Sequence, residues 1–224
     1  MNAARARREV ADTVRWLVAR DLYAGTSGNV SCRGGGGFLV TPTGIPCEEV
    51  SPANVVEGTL AGAARGRVLP SSEWRIHRDV YRARPEIGAV VHTHSRFATA
   101  LACLRRPVPA FHYGLARAGG PELRCAAYAT YGTEALSRNA LRALAGRRAC
   151  LLANHGLLAL GEDLAAARLL AEELESLCAE YAIARAVGSP VLLPRREMAA
   201  VAVKLARYGQ PSRGQPPRPP SRRR

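Results

Sequence analysis

Lysine is almost absent from this chain, because 31 of its 32 Lys and Arg residues are arginines and Lys204 is the only lysine. A mechanism that passes through a Schiff base requires a reactive lysine amine. Lys204 lies close to the C-terminal end of the sequence and is a poor candidate for that role. The net charge of +14 favours anionic ligands, such as phosphorylated metabolites.

Several other features are scarce or missing. Aromatic residues make up only 5% of the chain and no nucleic-acid motif is present, so a nucleic acid partner is not expected despite the positive charge. No apolar run approaches the roughly 20 residues of a membrane span, and no apolar segment of a secretory signal follows the Arg-rich N-terminus. The six cysteines lack C-x-x-C spacing, which is typical of buried thiols. These patterns predict a cytoplasmic protein without a membrane partner.

Hydrophobic periodicity predicts one domain followed by a tail. Helices are expected over residues 5–22, 72–84, 95–104, 133–144, 164–187 and 195–205, with Ser72 as the N-cap of the second. Strands are expected over 29–33, 38–41, 89–92 and 155–160, with a further pair beside 62–66 and a loop-rich stretch over 107–131. The last residues, 209–224, contain five arginines and many prolines and cannot build a core. We therefore expect a domain over 1–208 and a disordered tail over 209–224.

Three of the five histidines occur in two short phrases that follow apolar runs. His92 and His94 flank a threonine at the end of Ala-Val-Val, and His155 follows Cys-Leu-Leu-Ala-Asn. Side chains two positions apart on a strand point to the same face, so His92 and His94 can present their imidazoles to one point. His155 can supply a third imidazole from the end of a neighbouring strand. Three nitrogen ligands with an open position are a common catalytic zinc arrangement, and Glu73 upstream strengthens the prediction of a metal site.

Three small turns that are rich in hydroxyl groups precede these histidines, at residues 25–29, 41–44 and 70–73. Glycine allows close backbone approach to a ligand, and Ser, Thr and Asn side chains can donate hydrogen bonds. Ser71 and Ser72 also precede a predicted helix, whose N-terminal amides favour an anion. Together the turns predict a phosphate pocket. No G-x-G-x-x-G or P-loop motif supports binding of a dinucleotide or of ATP.

Five phrases of the sequence stand out: Gly-Thr-Ser-Gly-Asn-Val-Ser at 25–31, Thr-Pro-Thr-Gly at 41–44, Pro-Ser-Ser-Glu-Trp-Arg-Ile-His at 70–77, Val-Val-His-Thr-His at 90–94 and Asn-His-Gly at 154–156. Together they resemble the class II aldolase/adducin family, and the resemblance extends from the first helix to about Tyr208. The family implies an α/β fold: a single three-layer αβα domain with a mostly antiparallel central sheet. It also implies a homotetramer with active sites at the subunit interfaces.

The resemblance assigns roles to particular residues of this chain. His92, His94 and His155 would hold one Zn²⁺ per subunit, and Glu73 would be the acid/base that also ligates the metal when substrate is absent. The residues expected to bind the substrate phosphate are Gly28, Asn29, Thr43, Gly44, Ser71 and Ser72. Aromatic residues near the aldehyde end of the substrate correspond to Tyr113, Tyr131 and Tyr208, of which Tyr113 and Tyr208 would be catalytic. Position 131 is more often phenylalanine in the family, so Tyr131 is expected to alter packing or aldehyde preference.

The implied activity is reversible cleavage of L-fuculose 1-phosphate, or of a related ketose 1-phosphate, to dihydroxyacetone phosphate and L-lactaldehyde. Without a suitable lysine, a metal Lewis acid is the natural way to stabilise the charge that develops beside the carbonyl. Two other activities of the family stay open, L-ribulose-5-phosphate 4-epimerase and methylthioribulose-1-phosphate dehydratase. The epimerases typically carry an aspartate in a Gly-Asp-Ile-like phrase that is missing at 118–122, which favours the aldolase. A purely binding, adducin-like role is disfavoured because all three histidines and Glu73 are present.

Overall fold

The computed structural model describes residues 2–62, 64–65 and 68–208. Within these residues eight strands form one sheet: β1 (Asn29–Gly34), β2 (Gly37–Val40), β3 (Val56–Thr59), β4 (Ala64–Arg65), β5 (Ala89–Thr93), β6 (Cys125–Ala126), β7 (Ala149–Leu152) and β8 (Gly156–Gly161). Their order across the sheet is β4-β3-β2-β1-β5-β8-β7-β6. Neighbours are antiparallel except the pair β6 and β7. The predicted, mostly antiparallel sheet is confirmed.

The described part of the chain also contains six α-helices. They are α1 (Ala3–Val18), α2 (Trp74–Ala83), α3 (Arg96–Ala102), α4 (Glu134–Ala143), α5 (Leu164–Val187) and α6 (Arg195–Leu205). Short 3₁₀ helices at Cys47–Glu49 and Tyr113–Ala118 interrupt the longer loops. The bounds predicted for α5 and α6 are confirmed. Among the described residues, no helix combines the length and the hydropathy needed to cross a bilayer.

Two hydrophobic cores, one on each face of the sheet, create the three layers. On β5 the adjacent residues Val90 and Val91 point to opposite faces, as alternation along a strand requires. Val91 packs in the core beneath α1, α3 and α5, whereas Val90 packs in the core beneath α2 and α4. Because both faces of the central strands are covered, β5, β7 and β8 are buried along their whole lengths. The predicted three-layer αβα domain is confirmed.

The first helix ends earlier than its hydrophobic pattern predicts, at Val18 instead of residue 22. Asp21 adopts a left-handed conformation with φ of 57°, and the backbone N–H of Leu22 donates to the carbonyl of Leu17 at 3.0 Å. This pattern of bonds is a common way to end a helix. Leu22 is nevertheless buried, which explains why it seemed to continue the helical periodicity.

Other boundaries differ by small amounts. The strand pair expected beside residues 62–66 is β3 and β4, and β4 begins within that segment. The loop-rich stretch over 107–131 contains the second 3₁₀ helix and the short strand β6. The proline- and arginine-rich tail that the sequence predicts over 209–224 lies outside the described residues.

Candidate active site

The end of β5 carries two of the three histidines of interest. His92 is the penultimate residue of the strand, and His94 follows its last residue, Thr93. Their Nε2 atoms lie 3.0 Å apart, as the i, i+2 spacing predicted. The other ring nitrogen of His92, Nδ1, lies 2.9 Å from the carbonyl oxygen of Leu157 on β8 and donates to it. This hydrogen bond leaves the lone pair on Nε2 of His92, where it faces His94.

The third histidine lies in the turn between β7 and β8, not within a strand as the sequence predicted. Asn154 has a left-handed φ of 53°, and the backbone N–H of His155 donates to the carbonyl of Leu152 at 3.0 Å. Because β8 pairs with β5, the turn brings Nε2 of His155 to within 3.2 Å of Nε2 of His92. The next residue is glycine because a Cβ atom on Gly156 would lie 2.3 Å from the carbonyl oxygen of Thr93.

Glu73 completes the group from the opposite side. It occupies the N-cap position of α2 that the sequence assigned to Ser72, but its carboxylate makes no capping hydrogen bond. The carboxylate points instead towards the imidazoles, with Oε2 3.2 Å from Nε2 of His92 and Oε1 3.4 Å from Nε2 of His155. The prediction of Ser72 as the N-cap is wrong because the chain continues through a turn at 71–73 before the first helical residue.

These four side chains, which we call the histidine–glutamate group, fit a divalent metal ion. Their ligand atoms all lie within 4.8 Å of one another. Oε1 of Glu73 is buried and accepts no hydrogen bond from any described residue, and a bound cation would satisfy it. Three imidazole lone pairs that converge beside a carboxylate also repel one another unless positive charge lies between them. Imidazole and carboxylate donors suit zinc and several other divalent metals.

The electrostatics of the group favour positive charge beside the carboxylate. Burial raises the pKa of Glu73, but the imidazoles of His92 and His155 lower it by more, so the carboxyl is held well below its usual range. Burial lowers the pKa of His92, but the Glu73 carboxylate and the carbonyl of Leu157 together raise it by more. Burial and the two neighbouring imidazoles lower the pKa of His94 to about 3. A divalent metal would supply the same charge balance.

A cavity of about 370 Å³ opens directly onto the group. Its wall is formed by residues 26–29, 42–44, 71–73, 94 and 154–155, together with Tyr128, Ala129 and Tyr131. The three hydroxyl-rich turns therefore meet at one cavity. All of the residues that the sequence assigned to the substrate or its phosphate line this cavity: Gly28, Asn29, Thr43, Gly44, Ser71, Ser72 and Tyr131.

The first of these turns packs closely against the strand that carries the histidines. Gly28 has a φ of 97°, and a Cβ atom there would lie 2.8 Å from the carbonyl oxygen of His92. The next residue, Asn29, pairs with His92 across β1 and β5. Its side-chain Nδ2 donates to Oε2 of Glu73 at 3.0 Å. Asn29 thus contacts the histidine–glutamate group as well as the cavity, a link that the sequence did not suggest.

Tyr113 and Tyr208 do not reach the cavity within one chain. Tyr113 opens a 3₁₀ helix and is 53% exposed, and Tyr208 is 80% exposed with the guanidinium of Arg117 6.0 Å from its ring centre. Other residues line the cavity that the sequence did not single out for a role. Asn154 belongs to a quoted phrase, whereas Tyr128 lies in the loop-rich stretch and carries no sequence signal.

Comparison of the sequence with known proteins identifies a family that is consistent with this site. The family model described as the class II aldolase and adducin N-terminal domain matches residues 8–182. The chain belongs to this family. Among its relatives, the 5-methylthioribulose-1-phosphate/5-deoxyribulose-1-phosphate aldolase of Rhodospirillum rubrum is 47% identical over 215 residues, covering 96% of each chain. The L-fuculose phosphate aldolase of Escherichia coli (strain K12) is 43% identical over 203 residues, covering 90% of this chain and 94% of the relative.

A solved structure of L-fuculose 1-phosphate aldolase superposes with a TM-score of 0.88. It is 42% identical and covers 92% of this chain and 98% of the other. The resemblance inferred from the five phrases is confirmed. The chain is a class II aldolase, an enzyme of a metal-dependent family that acts on small sugar phosphates.

Proposed function

We propose that this class II aldolase cleaves 5-methylthioribulose 1-phosphate and 5-deoxyribulose 1-phosphate. The bond between C3 and C4 breaks, the C4 hydroxyl loses its proton to become an aldehyde, and C3 gains a proton. The products are dihydroxyacetone phosphate and methylthioacetaldehyde or acetaldehyde. Support for this substrate choice comes from the Rhodospirillum rubrum relative, whose name gives both substrates and which matches 96% of either chain.

One observation carries the proposed chemistry: the histidine–glutamate group and the three hydroxyl-rich turns line the same cavity. A ketose 1-phosphate carries its phosphate one carbon away from the ketone. A single small cavity can therefore hold both the phosphate and the ketone of such a substrate. We assign the phosphate to Gly28, Asn29, Thr43, Gly44, Ser71 and Ser72, whose hydroxyl, amide and backbone N–H groups are suitable donors.

We further propose that the metal is zinc, one ion per subunit, held by His92, His94 and His155. When bound, a divalent metal acts as a Lewis acid that stabilises negative charge on the substrate oxygens. The Leu157 carbonyl fixes His92 in the form whose Nε2 can be a ligand. Glu73 is a fourth ligand when substrate is absent.

Glu73 is also our candidate for the proton transfer at C3. Its carboxylate is buried at the cavity wall and is held in the ionised form. In the synthetic direction it removes the C3 proton of dihydroxyacetone phosphate, and in cleavage it returns that proton. A tyrosine, Tyr113 or Tyr208, would exchange the proton of the C4 hydroxyl.

L-Fuculose 1-phosphate, which the sequence favoured, is the second candidate substrate. The Escherichia coli relative and the solved structure both carry that name. Its cleavage gives dihydroxyacetone phosphate and L-lactaldehyde, so the two candidates differ only beyond C4. Tyr128, Ala129 and Tyr131 give the cavity a partly apolar wall. Such a wall suits a methyl or methylthio end, because thioethers make favourable contacts with aromatic rings.

The substrate proposal is tested by a parallel assay of released dihydroxyacetone phosphate. The purified enzyme is given 5-methylthioribulose 1-phosphate, 5-deoxyribulose 1-phosphate, L-fuculose 1-phosphate and L-ribulose 5-phosphate, and kcat/KM is compared. We expect the two deoxypentulose phosphates to be cleaved most efficiently. A higher kcat/KM for L-fuculose 1-phosphate would select the second candidate. A dehydratase or an epimerase would consume its substrate without releasing dihydroxyacetone phosphate.

We also propose that residues 1–208 form the catalytic domain and assemble as a cytoplasmic homotetramer. The exposed positions of Tyr113 and Tyr208 support active sites that are shared between subunits, since neither ring lines the cavity of its own chain. The six cysteines, all free thiols, suit a reducing compartment.

A further inference from the structure

His77 is a fully buried histidine that has no part in the chemistry described above. It lies on α2 one turn after Glu73, with none of its side chain exposed to solvent. Its Nε2 is the hydrogen-bond partner of Oδ1 of Asn29, and its Nδ1 lies 2.6 Å from Oγ of Ser31. Because Asn29 in turn contacts Glu73, a row of buried polar groups connects His77 to the histidine–glutamate group.

The direction of every hydrogen bond in this row follows from the carboxylate. An ionised Glu73 can only accept, so Asn29 must turn its NH₂ towards Glu73 and its Oδ1 towards His77. An amide oxygen also only accepts, so Nε2 of His77 carries a proton. A neutral imidazole has a single N–H, so Nδ1 accepts from the hydroxyl of Ser31. Ser31 then has no further proton, and the Tyr81 hydroxyl, 2.7 Å away, donates to it.

The neutral form of His77 is consistent with its surroundings. Burial, which is the largest cause, and the neighbouring imidazole of His92 lower the pKa of His77 to about 3, against the opposing effect of the Glu73 carboxylate. A charged imidazole would have to donate from both nitrogens. The hydroxyl of Ser31 would then have to accept a hydrogen bond from Nδ1 of His77 and could no longer donate one to it. The neutral imidazole with its proton on Nε2 therefore fits the row best.

We propose that His77 is a positioning residue, which fixes the amide of Asn29 and through it the carboxylate of Glu73. An unfixed Asn29 amide could rotate by half a turn and present Oδ1 to the Glu73 carboxylate, which would repel it. With the amide fixed, Asn29 holds Oε2 of Glu73, and Oε1 stays free beside the imidazoles. The expected effect on turnover rests on the proposed function of Glu73.

Two substitutions at His77 separate positioning from packing. His77→Phe keeps a planar ring but removes the donor to Asn29, whereas His77→Gln places an amide N–H near the position of Nε2. Tyr81→Phe is the matched control, because it removes a buried hydroxyl that contacts Ser31 and leaves the hydrogen bond between His77 and Asn29 intact. For each protein we would measure kcat, KM, melting temperature and zinc retention against a chelator.

Loss of a group that orients a ligand typically costs about 10- to 100-fold in activity or metal affinity. We expect such a loss in His77→Phe, substantial recovery in His77→Gln, and wild-type values in Tyr81→Phe despite a lower melting temperature. Wild-type kcat and zinc retention in folded His77→Phe would overturn the proposal. So would equal losses in His77→Phe and Tyr81→Phe, which would indicate a general packing defect.

A measurement on the unaltered protein keeps the proposal testable if the variants do not fold. Imidazole ¹H–¹⁵N spectra of the wild-type enzyme should show His77 as the neutral Nε2–H form from pH 5 to pH 8. Observation of the Nδ1–H form, or of a charged ring, would overturn the proposal. The spectra do not depend on any substrate. An enzyme that cleaves none of the candidate sugars would therefore refute the proposed function and leave this test intact.

Discussion

Glu73 combines three contacts on one carboxylate, to His92, to His155 and to Asn29. Polar side chains at the N-cap of a helix commonly accept a hydrogen bond from the free N–H groups there. In this enzyme the neighbouring turn performs part of that task, since the backbone N–H of Trp74 donates to the carbonyl of Ser71 at 3.0 Å. The carboxylate is therefore available for chemistry.

Glu73→Gln keeps the shape of this side chain and removes its basicity. Loss of a general base typically reduces a rate by about 10²- to 10⁴-fold. We expect that reduction both in kcat for cleavage and in the exchange of the C3 proton of dihydroxyacetone phosphate with solvent deuterium, followed by NMR. Exchange at the wild-type rate in a zinc-loaded variant would place the base elsewhere.

Gly156 is expected to tolerate no side chain. A Cβ atom there would lie 2.3 Å from the carbonyl oxygen of Thr93 and 3.1 Å from the ring of His94. Gly156→Ala should lower the free energy of unfolding by about 1–3 kcal/mol, because overpacking displaces backbone atoms, and should weaken zinc binding. The control is Gly34→Ala on β1, where a Cβ atom meets nothing within 4 Å. Urea titrations of both variants test the prediction, and equal stabilities would contradict it.

At the scale of elements, α5 supports the segment that follows His94. The carboxylate of Glu175 accepts hydrogen bonds from the hydroxyl of Ser95 at 2.7 Å and from the backbone N–H groups of Phe97 and Ala98 at 2.8 and 2.9 Å. The short helix α3 therefore receives its cap from a helix that lies about 80 residues further along the chain. Ser95 and the first turn of α3, which Glu175 holds in place, follow closely after the end of β5.

Glu175→Gln should therefore destabilise the enzyme more than its exposure suggests. Hydrogen bonds to a charged group contribute about 1.5–3 kcal/mol, and the amide of glutamine can replace only part of them. We expect a loss of about 1–2 kcal/mol in the free energy of unfolding. Glu180→Gln, at an exposed position further along the same helix, is the control because, among the described residues, its carboxylate accepts one long hydrogen bond, from Ser176 at 3.4 Å. Similar midpoints for the two variants in urea would refute the role of Glu175.

The sequence predicted elements well where local signals agreed with the tertiary structure. The limits of α5 follow from Asp163, which caps the helix, and from Gly188 after its last residue. His155, in the turn at 153–155, was predicted as part of a strand because apolar residues continue on both sides of the turn. Only the left-handed conformation of Asn154, which depends on the pairing of β7 with β8, reveals the turn.

In the candidate site, too, the sequence predicted the features that depend on local geometry and missed those that depend on tertiary structure. The spacing of His92 and His94 predicted a shared face because strand geometry is regular. By contrast, Tyr128 could not be predicted as a wall of the cavity, because an irregular loop positions it. The contact between Asn29 and Glu73 was also missed, since it depends on the register of β1 against β5 and on the position of α2.

At the scale of the whole molecule, removal of the metal should abolish activity and leave the fold intact. The histidine–glutamate group lies at or beside strand and helix ends, and none of its members belongs to the two hydrophobic cores. Dialysis against a chelator should remove activity while the far-ultraviolet circular dichroism stays unchanged, and one equivalent of zinc should restore turnover. A chelated enzyme that unfolds would show that the metal is structural.

Single substitutions test which residues bind the metal. His94→Ala should purify with little zinc, whereas His112→Ala should retain it, because His112 caps a 3₁₀ helix outside the group. Elemental analysis distinguishes the two variants. Full zinc occupancy in His94→Ala would remove His94 from the ligand set.

Shared active sites predict that two inactive variants can repair one another. Glu73→Gln lacks the proposed base, and Tyr113→Phe lacks the hydroxyl that we assign to a neighbouring subunit. Mixed oligomers of the two should regain some cleavage activity, because certain sites combine an intact Glu73 with an intact Tyr113. The assay compares the mixture, after dissociation and reassembly, with each parent. No recovery in verified mixed oligomers, or full activity in a monomer, would exclude sharing.

The pairing of β5 with β8 has a consequence for how the protein reaches its native state. His92 and His94 are close along the chain, but His155 lies 63 positions from His92 and joins it only when those two central strands meet. Contacts of such long sequence separation form late, since loop closure must precede them. We therefore expect that, during refolding, the protein binds zinc tightly only after β5 and β8 have paired. The rate of tight zinc binding would then report the rate at which the central strands of the sheet come together.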